Sequence, residues 1–202
     1  MSEFARFVLD GVSGSGQRPP IVALDGRSSS GKTTLARRLE AALPGAVTVH
    51  TDDIAWWHAR FAWAELLMTA ILEPLHQNRA VSFRPPAWDE RGRRGVIEAS
   101  AGATLVIIEG VGAGRRETAP LVDGVIWVQA DLGVIERRNA ARVDAGETTT
   151  QDVAGWMEEE DPFVADQRPW ERSLVVVAGT PDLTHDPSTE LVVAPSLKPS
   201  GL

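Results

Sequence analysis

Residues 21–34 read IVALDGRSSSGKTT, an apolar run followed by a loop rich in glycine and serine. Residues 26–33 match the pattern G-x-x-x-x-G-K-[ST] in full. In that pattern the glycines let successive backbone N–H groups converge on an anion, and the lysine adds a positive charge. The pattern therefore predicts a phosphate-binding loop, and we expect nucleotide contacts from Gly26, Arg27, Ser28, Ser29, Ser30, Gly31, Lys32, Thr33 and Thr34.

The sequence around this loop has the expected context of a strand before it and a helix after it. Residues 21–24 are a continuous apolar run, typical of a strand buried on both faces. Residues 33–43 carry leucines at helical spacing. Further strands are predicted at 47–50, 104–108, 125–128 and 174–178, with a candidate edge strand at 191–193, and further helices at 63–76, 132–143 and 151–167. Residues 79–95 contain a Pro-Pro pair and many charges, which indicate a loop.

Strands that alternate with helices predict an α/β fold with a mainly parallel sheet. We expect a P-loop NTPase architecture of three layers, α/β/α, with a five-stranded sheet and a small lid. The length of 202 residues suits a single domain. We predict its core at about 20–180, its lid at about 137–150 and a Pro-rich tail at 181–202. In such a sheet ligands bind at the carboxyl ends of the strands.

Composition excludes several classes of function. The chain has no cysteine, which rules out disulfides and zinc–thiolate sites and suits a reducing compartment. Its formal net charge of −8 disfavours a non-specific binder of nucleic acid or of anionic membranes. The longest apolar runs are too short to span a bilayer. We therefore expect a cytoplasmic protein, a monomer or homodimer, whose partner is a small molecule and neither nucleic acid nor membrane.

Two carboxylates follow the predicted strand at 47–50, in the sequence His50-Thr51-Asp52-Asp53. That position lies beside the expected γ-phosphate, where a phosphate-transferring enzyme needs a carboxylate to orient or deprotonate the accepting hydroxyl. Lys32 would bind the β- and γ-phosphates, and the Thr33 hydroxyl could bind Mg²⁺. The alternative is that Asp52 and Asp53 only cap the following helix. We predict a catalytic role for at least one of them.

These motifs together resemble the uridine kinase-like group of P-loop kinases, which includes the nicotinamide riboside kinases. The resemblance rests on VALDG at 22–26, on SSGKTTLA at 29–36 and on the spacing from Leu43-Pro44 to the Asp-Asp pair. It implies ATP and Mg²⁺ as cofactors. The spacing in nicotinamide riboside kinases implies Asp52 as the general base, and Asp52 is the first choice. The pattern of uridine kinases would favour Asp53, so both remain candidates.

The resemblance also implies roles for residues later in the chain. VIIEG at 106–110 is similar to a family strand whose glutamate helps to hold Mg²⁺, which adds Glu109 to Thr33 and Asp52 as candidate metal ligands. PAWD at 86–89 resembles an element that meets the acceptor, and it implies contacts from Trp88 and Asp89. The alternative for Trp88 is packing within the domain.

Arginines occur in two groups. Arg138 and Arg142 fall in the region that resembles a lid, where they would neutralise charge on the transferred phosphoryl group; the alternative is a solvated helix face. Arg84 belongs to a cluster with Arg91, Arg93 and Arg94 that would suit an acceptor carrying an anion, or a solvated loop. The acidic run at 158–161 is interpreted as a solvated helix end.

The resemblance thus predicts an ATP-dependent phosphotransferase, with the phosphoryl group passing to a hydroxyl of a small molecule. A nucleoside is the preferred acceptor. The alternatives are kinases of a different metabolite, a nucleotide, a sugar or an antibiotic. A different class, an ATP-binding regulatory module with slow hydrolysis, also remains open.

Overall fold

The computed structural model describes residues 1–12 and 16–195. In chain order its strands are β1 (Ile21–Gly26), β2 (Ala46–His50), β3 (Val81–Phe83), β4 (Ile97–Ala99), β5 (Leu105–Glu109), β6 (Gly124–Gln129), β7 (Val175–Ala178) and β8 (Val193–Pro195). The main sheet has six strands in the order β2-β5-β1-β6-β7-β8. All neighbours pair in parallel except β7 and β8, which are antiparallel.

Helices connect these strands. They are α1 (Ser2–Val12), α2 (Lys32–Ala42), α3 (Thr51–Ala55), α4 (Ala64–Leu67), α5 (Glu73–His76), α6 (Pro86–Glu90), α7 (Leu132–Asp144) and α8 (Thr150–Gln167). A π-helical turn (Met68–Leu72) joins α4 to α5, and 3₁₀ turns lie at Ala119–Leu121 and Pro169–Arg172. The helix predicted at 63–76 is therefore one helical run with a wide turn. That turn precedes Pro74, which cannot donate a backbone hydrogen bond to a regular ladder.

The sheet separates two hydrophobic cores. Along β1, Ile21 and Ala23 face one core and Val22 and Leu24 face the other, because successive strand side chains point to opposite faces. Helices α1 and α2 cover one face, and the helical run of residues 64–76 covers the other. These four side chains are all buried. The three-layer α/β/α fold with a mainly parallel sheet is thus confirmed.

Residues 79–95 are not the simple loop predicted from their prolines and charges. β3 pairs with β4 in a small antiparallel sheet, and the chain that connects the two strands contains α6. Pro86 occupies the first position of α6, where its missing N–H has no cost. We call residues 81–99 the cap.

The end of the chain also adds to the sheet. The candidate edge strand at 191–193 is observed as β8, two residues later, and it supplies the sixth strand. Before it, the Arg38 side chain of α2 donates hydrogen bonds to the carbonyls of Ser188 and Glu190, at 3.4 and 3.1 Å. Residues 196–202 of the predicted Pro-rich tail lie outside the described residues. Within the part that the structure describes, no helix has both the length and the apolar character needed to cross a bilayer.

Candidate active site

The predicted phosphate loop connects β1 to α2. Gly31 precedes α2 with a φ of 106°, and Ser29 also has a positive φ of 59°. Alternation of backbone handedness of this kind turns N–H groups toward a common anion. Gly26 packs so closely on β6 that an added Cβ would come within 2.6 Å of the Val128 carbonyl oxygen. The start of the loop therefore requires glycine, and its end is the amino terminus of a helix, which favours phosphate.

Lys32 is the first residue of α2 and is 7% exposed. Its Nζ donates a hydrogen bond to the carbonyl oxygen of Arg27 at 2.8 Å, across the mouth of the loop. The ammonium group thus links the helix end of the loop back to its beginning and lines the cleft. This position suits a point charge for a bound phosphate.

Thr33, Glu109 and His50 form a chain of polar contacts beside Lys32. The Thr33 hydroxyl donates to Glu109 Oε1 at 3.3 Å, and His50 Nδ1 lies 2.6 Å from Glu109 Oε2. The sheet explains the last contact, because His50 and Glu109 are paired across β2 and β5 at their carboxyl ends. The hydrogen bond to Glu109 is the main cause that raises the pKa of His50.

Asp52 and Asp53 lie together in the first turn of α3 and have different surroundings. Asp52 lines the same cleft as Lys32 and Glu109. Although its side chain is open to the cleft, the protein atoms around its carboxylate limit hydration and raise its pKa; Glu109 and Asp53 add to this, while Lys32 and His50 oppose it. Asp53 does not line the cleft and forms an ion pair with Arg93 of the cap.

The cap holds the residues that the sequence analysis assigned to the acceptor. Trp88 is 3% exposed, and its indole N–H donates to the Asp53 carbonyl at 2.9 Å. Arg84 pairs with Asp89 and also donates to the carbonyls of Gly95 and Arg93. None of Arg84, Trp88 and Asp89 lines the cleft. In this conformation they stabilise the cap, since each has a partner within it or in α3.

Helix α7 contacts the phosphate loop directly. Arg138 donates to the Ser29 carbonyl at 2.8 Å and to the Gly179 carbonyl at 3.3 Å, and Asn139 accepts a hydrogen bond from the Ser29 hydroxyl at 2.6 Å. Arg142 also lines the cleft, where its side chain lies 3.3 Å from Glu147. Both arginines predicted to neutralise phosphate are therefore at the cleft.

Behind the loop, the buried Asp25 at the end of β1 ties two segments together. Its carboxylate accepts N–H bonds from Gly26, Gly112 and Gly114, at 2.7 to 2.9 Å. Burial raises its pKa, and these three hydrogen bonds oppose the shift. Asp25 thereby fixes the phosphate loop to the turn that follows Glu109.

The cleft is open and has a volume of about 1180 Å³. Its lining residues beyond the phosphate loop include two groups, which we name by the roles proposed for them below. We call the part beside α3 and α8 the acceptor arm; its lining includes Asp52, Ala55, Trp56, Arg60, Glu109, Asp152, Val153 and Trp156. The part beside α2 and the end of the chain is the donor arm, lined by Leu35, Arg38, Gly179, Pro181, His185 and Leu191, among others.

A metal ion in this cleft would need ligands from more than protein carboxylates. Among residues 1–12 and 16–195, no group of three or more His, Cys, Asp or Glu side chains is arranged to hold a metal. The Thr33 hydroxyl and the Glu109 carboxylate nevertheless meet at the mouth of the loop, with Asp52 in the same cleft. Such a sparse set of oxygen ligands fits Mg²⁺, which keeps several waters and is completed by substrate phosphates.

Solved structures of known proteins share this architecture. A candidate fructose transport system kinase from Silicibacter sp. TM1040 is 20% identical over 83% of this chain and 92% of its own, with a TM-score of 0.58. A possible uridine kinase from Bacillus stearothermophilus is 20% identical over 87% and 96%, with a TM-score of 0.52. D-glycerate 3-kinase from Cryptococcus neoformans is 13% identical over 95% and 98%, with a TM-score of 0.54. The fold is that of the P-loop kinases.

No protein-family model matches the chain, and no curated protein matches it by sequence. The likeness to uridine kinase-like and related P-loop kinases is therefore a likeness of fold.

One residue of this P-loop kinase fold escaped the sequence analysis. Glu160 belongs to the acidic run at 158–161, but it is 0% exposed and contacts the phosphate loop. The run does not behave as a uniformly solvated helix end, because neighbouring helical residues point in different directions. A signal was present: Glu160 lies four residues from both Trp156 and the buried Val164, on the same helix face.

Proposed function

We propose that this protein is a Mg²⁺-dependent kinase that transfers the γ-phosphoryl group of ATP to a hydroxyl of a small molecule, with an uncharged nucleoside as the preferred acceptor. The observation that carries the proposal is that Asp52 opens into the same cleft as Lys32, with Glu109 bonded to Thr33 beside them. A phosphate cradle alone would serve any nucleotide-binding protein. Transfer to a hydroxyl also requires a carboxylate that faces the bound phosphates, and Asp52 lines the cleft in that way.

The phosphate loop would bind the donor. Loop N–H groups and those at the amino terminus of α2 would donate hydrogen bonds to the phosphates, and Lys32 would leave the Arg27 carbonyl to meet the β- and γ-phosphates. Thr33 and Glu109 would hold Mg²⁺, and Asp52, which lines the same cleft, is a further candidate ligand. Bound there, Mg²⁺ would offset negative charge on the phosphoryl oxygens.

Asp52 would act on the acceptor. Its carboxylate would take the proton of the hydroxyl as the oxygen attacks the γ-phosphorus, and the bond from phosphorus to the ADP oxygen would break. A raised pKa makes Asp52 a stronger base than an ordinary aspartate. Asp53 is the weaker candidate because its charge is already balanced by Arg93. Arg138 and Arg142, at the cleft, would balance charge on the transferring group.

The acceptor arm supports an uncharged substrate with a flat face. Trp56 and Trp156 line it, and indole rings stack on planar groups. The charged side chains of the acceptor arm include the carboxylates of Asp52 and Asp152, which would repel an anion. Its arginine, Arg60, is already paired with Glu159. Two of the four arginines that would suit an anionic acceptor are engaged in ion pairs outside the cleft, Arg93 with Asp53 and Arg84 with Asp89.

All the groups that this proposal uses come from one chain, so it holds for a monomer or a homodimer. We place the protein in the cytoplasm, where ATP and Mg²⁺ are present. The reducing conditions there do not affect a chain that has no cysteine and therefore no disulfide.

The test is ADP release, coupled to a spectroscopic readout, with ATP and Mg²⁺ and a panel of acceptors. The panel contains nucleosides, nucleotides, pantothenate, amino sugars, fructose and glycerate. Asp52→Asn is compared with Asp53→Asn, its neighbour in the same helical turn. We expect turnover that depends on a nucleoside and that falls by a factor of about 10² to 10⁴ in Asp52→Asn, with a smaller loss in Asp53→Asn.

Two outcomes would contradict the proposal. A larger loss in Asp53→Asn than in Asp52→Asn would transfer the role of base to Asp53. Slow ADP release that is independent of every acceptor and equal in all three proteins would favour the ATP-binding regulatory module instead.

A further inference from the structure

Glu160, on α8, contacts the first half of the phosphate loop. It is completely buried, yet it does not line the cleft. Its Oε1 accepts a hydrogen bond from the backbone N–H of Ser28 at 2.6 Å, and its Oε2 lies 3.5 Å from the Arg27 guanidinium. Arg27 also pairs with the exposed Asp161. The contacts of the carboxylate are therefore with the first half of the loop.

A buried carboxylate is unfavourable unless hydrogen bonds and charge compensate it. For Glu160, the hydrogen bond comes from Ser28 and the positive charge from Arg27, two consecutive residues of the loop. The Glu160 carboxylate thus keeps both partners only in this conformation of the loop. Conversely, Glu160 supplies the protein acceptor of the Ser28 N–H, which belongs to a half-buried residue at the edge of the cleft.

The same helix reaches the acceptor arm. Asp152, Val153 and Trp156, on the first half of α8, line the cleft, and Glu160 follows about one turn after Trp156. The carbonyl of Gly155 and the side chain of Glu159 also hold Arg60, which lines the acceptor arm. A single helix therefore contacts both the acceptor arm and the phosphate loop.

We propose that Glu160 is a positioning residue that sets the conformation of the phosphate loop through the Ser28 N–H. It acts before and during phosphate binding by holding residues 27 and 28 against α8, so that the later loop N–H groups face the cleft. This inference rests on the proposed function only in taking ATP as the ligand. The hydrogen bond from Ser28 carries the effect, and the pairing with Arg27 supports it.

The first experiment measures ATP affinity by calorimetry, without any acceptor. Glu160→Ala removes the acceptor of the Ser28 N–H, whereas Glu160→Gln keeps a carbonyl oxygen in its place. Val164→Ala removes buried packing one turn further along the same helix without touching the loop, and so it controls for simple destabilisation. We expect ATP affinity to fall about tenfold in Glu160→Ala, and to stay within about threefold of wild type in Glu160→Gln and in Val164→Ala.

The second experiment does not depend on ATP. Hydrogen–deuterium exchange of the peptide that contains residues 26–33 is followed in the same four proteins. We expect exchange at Ser28 to be at least about tenfold faster in Glu160→Ala and close to wild type in Glu160→Gln and Val164→Ala.

The results separate this inference from the proposed function. Wild-type protein that bound no ATP would contradict the proposed function, and the exchange data would still judge the role of Glu160. The inference would be overturned by loop exchange in Glu160→Ala that equals wild type. It would also be overturned if Glu160→Gln behaved like Glu160→Ala, or if Val164→Ala loosened the loop as much.

Discussion

The imidazole of His50 and the carboxylate of Glu109 lie 2.6 Å apart at the carboxyl ends of two neighbouring strands, β2 and β5. The other oxygen of Glu109 accepts from Thr33, at the start of α2. The contact thus links the second strand to the phosphate loop through one carboxylate. It joins the charge state of a histidine to a group that the proposed function assigns to Mg²⁺.

The His50–Glu109 contact predicts a dependence of stability on pH in metal-free protein. Because the hydrogen bond to Glu109 raises the pKa of His50 above its ordinary value of 6.5, the folded state binds the proton more tightly than the unfolded state. The stabilisation is complete below pH 6.5 and is lost as the pH rises through the raised pKa. His50→Gln should lack this loss. Urea unfolding of wild type and His50→Gln in EDTA, from about pH 6 to pH 9, measures the free energy of unfolding at each pH. The same pH dependence in both proteins would contradict the prediction.

Glu109→Gln should change the requirement for Mg²⁺. The amide keeps an oxygen for Thr33 and loses the negative charge that would hold the ion, so we expect half-maximal turnover to need about 10 to 100 times more Mg²⁺. A titration of Mg²⁺ in the ADP-release assay gives the value. Glu98→Gln, at an exposed position of β4, is the matched control. Equal Mg²⁺ requirements in the two variants would argue against Glu109 as a ligand.

Gly179→Ala should disturb the phosphate loop from the end of β7. Gly179 follows β7, and an added Cβ would overlap the backbone oxygen of Ser30 and crowd Val128. Because the Ser30 oxygen belongs to the backbone of the loop itself, the loop must move. We expect weaker ATP binding and a stability loss of about 1 to 3 kcal/mol. Gly102→Ala, where the nearest atom is 3.7 Å away, should behave like wild type in calorimetry and in urea. Unchanged ATP affinity in Gly179→Ala would show that the loop tolerates the displacement.

Arg93→Ala should weaken the cap without affecting the donor. The Arg93 guanidinium lies 3.8 Å from the centroid of the Trp88 ring and pairs with Asp53. Both interactions are partly exposed, so solvent reduces them, and we expect a loss of about 1 to 2 kcal/mol in urea unfolding. ATP affinity should remain as in wild type, since Arg93 does not line the cleft. Arg94→Ala, at an exposed position, is the control. A loss no larger than that of Arg94→Ala would mean that the cap does not depend on Arg93.

The sequence alone predicts the parts of the molecule that local patterns determine. The phosphate loop, the strand before it and the helix after it follow one another without a break in residues 21–42, so their chemistry and their geometry are encoded together. Glu109 could be found because it ends a continuous apolar strand. Apolar runs likewise predict the central strands of the sheet, whose two faces are both buried.

Other features depend on contacts between distant parts of the chain. The different surroundings of Asp52 and Asp53 follow from Arg93, which belongs to the cap, and no pattern in residues 50–55 contains that information. The short strands β3 and β4 stabilise each other, so neither stands out from its own residues. Glu160 is buried because α8 packs on the phosphate loop, and the neighbouring acidic residues obscure its place on the apolar face.

The order of strands in the sheet has a consequence for folding during synthesis. β1, which leads into the phosphate loop, lies between β5 and β6, so Ile21 pairs with Val106 and Val22 with Gly124. A nascent chain that ends before residue 105 contains the complete glycine-rich sequence but neither of the strands that flank it. Pairing between such distant segments is slow to form. Ribosome-bound chains should therefore acquire resistance to proteolysis around residues 26–33 only after β5 and β6 have emerged.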